Sequence, residues 1–147
     1  MEAVILIGVQ GAGKSTFYKN NFFNTHLRIS LDLFNKSRHH ENEILQTVIQ
    51  ARQAFVVDNT NPTQESRKKY IDQARKAKYK IKAYYFAVGF DEAMQRNLER
   101  HGKAVIPEAG LKSVLKVMQK PTFDEGFDEI YFVQTIDNDF IVKPFAP

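Results

Sequence analysis

The segment Gly8-Val9-Gln10-Gly11-Ala12-Gly13-Lys14-Ser15 matches the pattern G-x-x-x-x-G-K-[ST] at each fixed position. Small residues at 11, 12 and 13 let the main chain curl around a phosphate so that several N–H groups point inward. A helix starting there adds its positive end. Lys14 would put a point charge on the β- and γ-phosphates, the Ser15 hydroxyl would ligate Mg²⁺, and Thr16 would meet the α-phosphate. The segment reads as a cradle for ATP with Mg²⁺; the alternative, a chance glycine-rich turn, does not account for the full pattern. The cradle alone does not separate a kinase from a switch or a motor.

A small kinase needs three further parts: a group that activates an acceptor hydroxyl, an acceptor pocket and a mobile cationic lid. Asp32 follows the apolar stretch His26–Leu31 and could take a proton from an attacking hydroxyl; the competing reading is a helix N-cap before Leu33. Asp58 ends Phe55-Val56-Val57 and resembles an acid that holds Mg²⁺ through water or positions the acceptor. The competing reading is turn chemistry in Asp58-Asn59-Thr60-Asn61-Pro62. Arg96 and Arg100 stand four apart, on one helix face, just before the basic, hinge-like His101-Gly102-Lys103. They fit a lid that neutralises transition-state charge, or else a solvated face on which Glu92 pairs with Arg96.

The elements that must position these residues alternate. Ala3–Ile7, His26–Leu31, Ala54–Val57, Ile81–Val88 and Ile130–Val133 read as strands, the first a continuous apolar run that suits a strand buried on both faces. Lys14–Asn21, Glu41–Arg52, a segment opened by Thr63 and running to about Lys78, Asp91–Arg100 and Pro107–Met118 read as helices. Asp137-Asn138-Asp139 is expected to turn the last strand into a hairpin with Phe140–Val142. Strands alternating with helices point to an α/β three-layer sheet with right-handed crossovers.

A chain of 147 residues, with 43% hydrophobic and 26% charged residues, is expected to form one domain, residues 1–147, and excludes a disordered or fibrous chain. The absence of cysteine excludes thiolate metal sites and suits a cytoplasmic setting. The first apolar run is too short for a signal peptide or a membrane span. Charge is uneven: residues 64–120 carry 14 basic and 6 acidic groups, residues 121–147 carry 1 basic and 6 acidic. This implies either a polyanionic partner for the middle third or a solvated basic face balanced by an acidic tail.

Taken together, these motifs resemble the 5′-kinase domain of polynucleotide kinases over about residues 3 to 133. The resemblance rests on the Gly11–Phe17 loop, Asp32, Val56-Val57-Asp58-Asn59-Thr60-Asn61-Pro62, Arg96-Asn97-Leu98-Glu99-Arg100-His101-Gly102-Lys103-Ala104-Val105, and Pro121–Phe127. It implies a P-loop kinase fold with a central parallel sheet of order 2-3-1-4-5 flanked by helices. It implies transfer of the γ-phosphate of ATP to a polynucleotide 5′-hydroxyl. Gly8, Val9, Gln10, Gly11, Ala12, Gly13, Lys14, Ser15 and Thr16 would then bind Mg²⁺-ATP, with Ser15 on the metal. Lys14, Asp32 (general base) and Arg100 (lid) would be catalytic, and Arg96 would assist near the nucleotide. Asp58, Asn59, Thr60 and Asn35 would line the acceptor side; Asn35 stands where phage-type members carry an arginine on the acceptor's 3′-phosphate. That departure keeps two alternatives open: a small-molecule or nucleoside hydroxyl as acceptor, and a nucleotide-binding module without transfer.

Overall fold

Ala3 to Ile7 are apolar without alternation because helices cover both faces of their strand. Ala3, Ile5 and Ile7 enter one buried cluster, while Val4 and Leu6 enter another on the opposite side of the sheet. The computed structural model describes residues 1–99, 106–137 and 139–146. In chain order it contains β1 (Glu2–Ile7), α1 (Lys14–Asn21), β2 (Leu27–Ile29), α2 (Arg38–Gln50), β3 (Phe55–Asp58), α3 (Gln64–Lys76), β4 (Lys80–Phe86), α4 (Phe90–Leu98), α5 (Glu108–Val117), β5 (Glu129–Ile136) and β6 (Asp139–Pro144). The sheet order is β2-β3-β1-β4-β5-β6. The first five strands are parallel, in the order expected, and β6 returns antiparallel to β5.

One core layer takes Leu45 and Val48 from α2 and Tyr70, Ile71 and Ala74 from α3. The other takes Phe17 and Tyr18 from α1, Ala93 from α4 and Leu111 from α5. Phe17 sits at the centre of an aromatic group, with Phe22, Tyr84, Phe86 and Phe140 rings 5.2–5.9 Å from its own.

Local capping moves two boundaries. β2 stops at Ile29 rather than Leu31, because the Ser30 side chain accepts from the Asp32 amide (3.3 Å) and opens a 3-10 turn over Leu31–Phe34. α2 starts at Arg38 rather than Glu41, because the Ser37 hydroxyl accepts from the His40 amide at 3.2 Å. α3 starts where Thr63 suggests, through a reciprocal box with Ser66 at 3.0 and 3.1 Å.

The basic middle third is matched in part from within. Arg67 on α3 is fully buried and holds both Glu125 oxygens at 3.0 and 2.9 Å. It also donates to the carbonyls of Asn61 (2.9 Å) and Pro62 (3.2 Å). Arg75 meets Asp128 at 3.7 Å, and Glu129 meets Lys80 at 2.6 Å and Lys82 at 3.9 Å. Part of the charge asymmetry is therefore an internal complementarity between α3, β4 and the segment from Glu125 into β5, with Glu2 of β1 also taking Lys82 at 2.6 Å.

Breaking a buried ion pair from one side leaves an uncompensated charge in the interior. Arg67→Met is expected to lower the unfolding free energy by about 3–5 kcal/mol, measured by urea denaturation. Lys68→Met, at the exposed Lys68–Asp72 pair on the same helix, is expected to change it by less than about 1 kcal/mol.

Candidate active site

The carboxyl ends of β1 and β3 lie side by side, and the loops that leave them form a cleft of about 370 Å³. Ligands in open α/β sheets bind at this edge. Gln10, Gly11, Gly13, Lys14, Ser15 and Thr16 line it from the loop after β1, with Arg96 beside them. Asp32 and Lys36 line it from the turn after β2, Arg38 from the start of α2, and Asp58, Asn59 and Thr60 from the end of β3. Val9 and Ala12 are buried under the loop. Gly8 anchors it by donating its amide to the Thr60 carbonyl at 3.0 Å.

The loop has the backbone that the motif demands. Gly11 and Gly13 sit at φ of +81° and +101°, which L side chains rarely adopt. A Cβ at Gly13 would also lie 3.1 Å from the Phe140 ring. Gly13 opens α1 with no side-chain cap, so the first amides of the helix are left to an anion. Lys14 is buried, and its Nζ donates to the carbonyls of Gly8 (2.8 Å) and Val9 (3.0 Å), which folds the side chain over the loop. Arg96 Nη1 donates to the Ala12 carbonyl at 2.9 Å while Nη2 pairs with Glu92 at 2.7 Å. The Arg96 side chain thus lies on the loop and keeps its helical pair as well. Arg100, with His101, Gly102 and Lys103 of the expected lid, lies outside the described residues.

Ser15 Oγ donates to Asp58 Oδ2 at 2.8 Å, and the same carboxylate oxygen accepts from Arg28 Nε at 2.8 Å. A hydroxyl and a buried carboxylate in contact form the hard oxygen pair that suits Mg²⁺. Among the described residues no three His, Cys, Asp or Glu side chains converge on a metal site. Arg28 was not anticipated. A lone arginine between Leu27 and Ile29 in a short strand is the signal that could have found it, since a charge there needs a partner.

Asp32 does not cap a helix; Ser30 does, and the Asp32 carboxylate is exposed at the cleft and paired with Lys36. Asn35 and Lys36 both lie in the left-handed region, at φ of 50° and 62°. This sharp reversal carries Lys36 back to Asp32 and leaves Asn35 as the exposed C-cap of the turn, outside the cleft lining. The cations on this side of the cleft are Lys36 and Arg38, which the sequence reading did not single out.

Asn59 lines the cleft, yet its side chain is committed to the scaffold. Its Oδ1 accepts from the Leu31 amide at 2.9 Å, and its Nδ2 donates to Glu41 at 2.8 Å. Glu41 is fully buried and also accepts from Lys69 and from the Tyr70 hydroxyl, each at 2.8 Å. Burial opposes its ionisation, but the hydrogen bonds from Lys69, Tyr70 and Asn59 and the Lys69 charge prevail and hold its carboxyl below the ordinary value. Burial first, and then the Glu41 charge, push the Tyr70 hydroxyl upward.

A family model described as an AAA domain matches residues 4–121. The bifunctional polynucleotide phosphatase/kinase of Schizosaccharomyces pombe is 29% identical over 136 residues, covering 88% of this chain. The chain spans 32% of that relative's length. Among solved structures, Chaetomium thermophilum Kti12 in complex with ADP-AlF3 superposes with a TM-score of 0.69 at 15% identity, over 93% of this chain and 90% of that one. A gluconokinase from Sinorhizobium meliloti 1021 gives 0.62 at 17% identity, over 90% and 82%. At those identities the structures share the fold. Among the described residues, no helix is long and apolar enough to cross a membrane.

Because the folded-state value of Glu41 is depressed, its contribution to stability is present above about pH 4.5 and is lost as pH falls through the lowered value. Urea unfolding followed from about pH 7 to about pH 3 is expected to show Glu41→Gln less stable at neutral pH and less steeply destabilised by acid than the parent chain.

Proposed function

Because the chain belongs to the AAA domain family, whose model spans most of its length, we propose that its cleft transfers the γ-phosphate of ATP to the 5′-hydroxyl of a polynucleotide. The observation that carries this reading is the Asp32 carboxylate at the wall of the same cleft that Lys14 and Ser15 line. A nucleotide cradle facing an exposed carboxylate has both halves of a phosphoryl-transfer site. The resemblance to a polynucleotide phosphatase/kinase supports the choice of acceptor.

In this reading the loop amides after β1 hold the polyphosphate, and Lys14 leaves its carbonyl partners to meet the β- and γ-oxygens. Ser15, with Asp58 behind it, would hold Mg²⁺, which when bound neutralises phosphate charge. Asp32 accepts the proton of the 5′-hydroxyl as its oxygen forms a bond to the γ-phosphorus. The bond from that phosphorus to the bridging oxygen breaks, and ADP leaves. Arg96 steadies the loop, and Arg100 would supply the lid cation over the transferred group. Lys36 and Arg38 supply positive charge on the acceptor side, while Asn59 holds the Asp32 turn instead of touching the acceptor. A small-molecule hydroxyl is the second reading. It is favoured by Asn35, an exposed turn residue, at the place where an acceptor-phosphate arginine was expected.

The test is incubation with γ-labelled ATP and a panel of 5′-hydroxyl DNA, 5′-hydroxyl RNA, nucleoside 3′-phosphates and free nucleosides. Label is expected on a polynucleotide 5′ end. Asp32→Asn is expected to lower the rate by about 10²-fold or more with nucleotide affinity unchanged, and Lys14→Ala to lower nucleotide affinity itself. Label on nucleosides alone would select the small-molecule reading.

A further inference from the structure

β6 closes one side of the sheet, and its outer edge pairs with no other strand among the described residues. The Phe145 amide donates to the Ile130 carbonyl at 2.8 Å, and the β5–β6 register runs unbroken from Ile136↔Asp139 to Tyr131↔Pro144. Alternation along an antiparallel ladder then assigns the main-chain groups. Those of Asp139, Ile141 and Lys143 face β5, while those of Phe140, Val142 and Pro144 face outward. The side chains on this edge are unusually apolar for an unpaired strand, with Ile141 and Val142 each 40% exposed. Ile136, on the same face as Ile141, is 43% exposed. Edges of this kind attract another strand.

We propose that the outer edge of β6 pairs antiparallel with β6 of a second copy of this chain, about a two-fold axis through Ile141. Charge and hydrogen-bonding parity together select that occupant and that register. Centred on Ile141, Phe140 of each copy lies opposite Val142 of the other, and both residues carry outward N–H and C=O groups, so both Phe140–Val142 pairs are fully hydrogen-bonded. Asp139 then lies opposite Lys143 twice, in the positions where side chains approach most closely. Centring on Val142 sets Phe140 opposite Pro144, which has no N–H to give, and Ile141 opposite Lys143. Centring on Phe140 sets Asp139 opposite Ile141. Lys143 is thus a charge that rejects other pairings of this edge and is matched in self-pairing. The contact extends the sheet across two copies and joins Ile141 to its symmetry mate. It does not depend on the acceptor that the cleft uses.

Two measurements on the whole chain test it. Sedimentation over a dilution series is expected to show a concentration-dependent dimer. D139K and K143D, each alone, place like charges at both positions and are expected to weaken dimerisation by about tenfold or more. An equimolar mixture of the two is expected to recover it, because the D139K chain faces the K143D chain with unlike charges at both positions. Hydrogen exchange on the parent chain supplies the second readout. The amides of Phe140 and Val142 should gain protection as concentration rises, while those of Ile141 and Lys143, already bonded to β5, should not. A chain that stays monomeric over the series, a mixture no stronger than its components, or protection at 140 and 142 independent of concentration would overturn the proposal.

Discussion

Four consecutive residues at the carboxyl end of β3 hold the cleft together. Asp58 binds Ser15 of the phosphate loop and Arg28 of β2. Asn59 binds the Leu31 amide, where the turn that carries Asp32 begins, and the buried Glu41 of α2. Thr60 accepts the amide of Gly8, at the start of the loop. Asn61, itself at a left-handed φ of 47°, donates to the Leu6 carbonyl and offers its own carbonyl to Arg67. The last residue of β3 and the turn after it thereby fix the relative positions of β1, β2, α2 and α3. The polar groups of that turn are buried or half-buried, and each unmet one would cost about 1–3 kcal/mol. The geometry is held by the penalty for breaking any one of these contacts as much as by their sum.

This constraint explains what could and could not be read from the sequence. The buried parallel strands were legible because β1, β3 and β4 are covered on both sides, so their apolar runs carry the signature of burial; their order came from the resemblance carried by the motifs. The phosphate loop was legible because its backbone tolerates few residues other than glycine at 11 and 13. Asp32 and Asp58 were found as acids at strand ends, but their surroundings were not. Asn59 looked like an acceptor contact because a polar residue at a sheet edge often is one; its partners, Leu31 and Glu41, are far away in sequence. Glu41 gave no signal, since a glutamate in the first turn of a helix is ordinary on a surface. Only the packing of α2 against α3 shows that it is buried.

Charge by itself left its source open. Fourteen basic residues in the middle third suggested either a polyanionic partner or a basic face balanced by the tail. The fold sets Glu125, Asp128 and Glu129 against four of them, Arg67, Arg75, Lys80 and Lys82, and Glu2 against Lys82 as well. Composition counts charges without regard to what the fold sets against them. The case for a polynucleotide acceptor therefore rests on the cleft and on the resemblance carried by its motifs, with Lys36 and Arg38 as the positive charge that lines the acceptor side.

The central claim is that the end of β3 couples a nucleotide cradle to a separately mounted base. Asn59→Ala tests it most directly, with the nucleotide dissociation constant and the turnover of γ-phosphate transfer measured side by side on the folded chain. The Asn59 side chain holds the Asp32 turn, with its hydrogen bonds going to Leu31, Glu41 and Tyr70, so the account predicts a fall in turnover of about tenfold or more with nucleotide affinity unchanged. An equal loss of nucleotide affinity, or turnover equal to that of the parent chain, would contradict it.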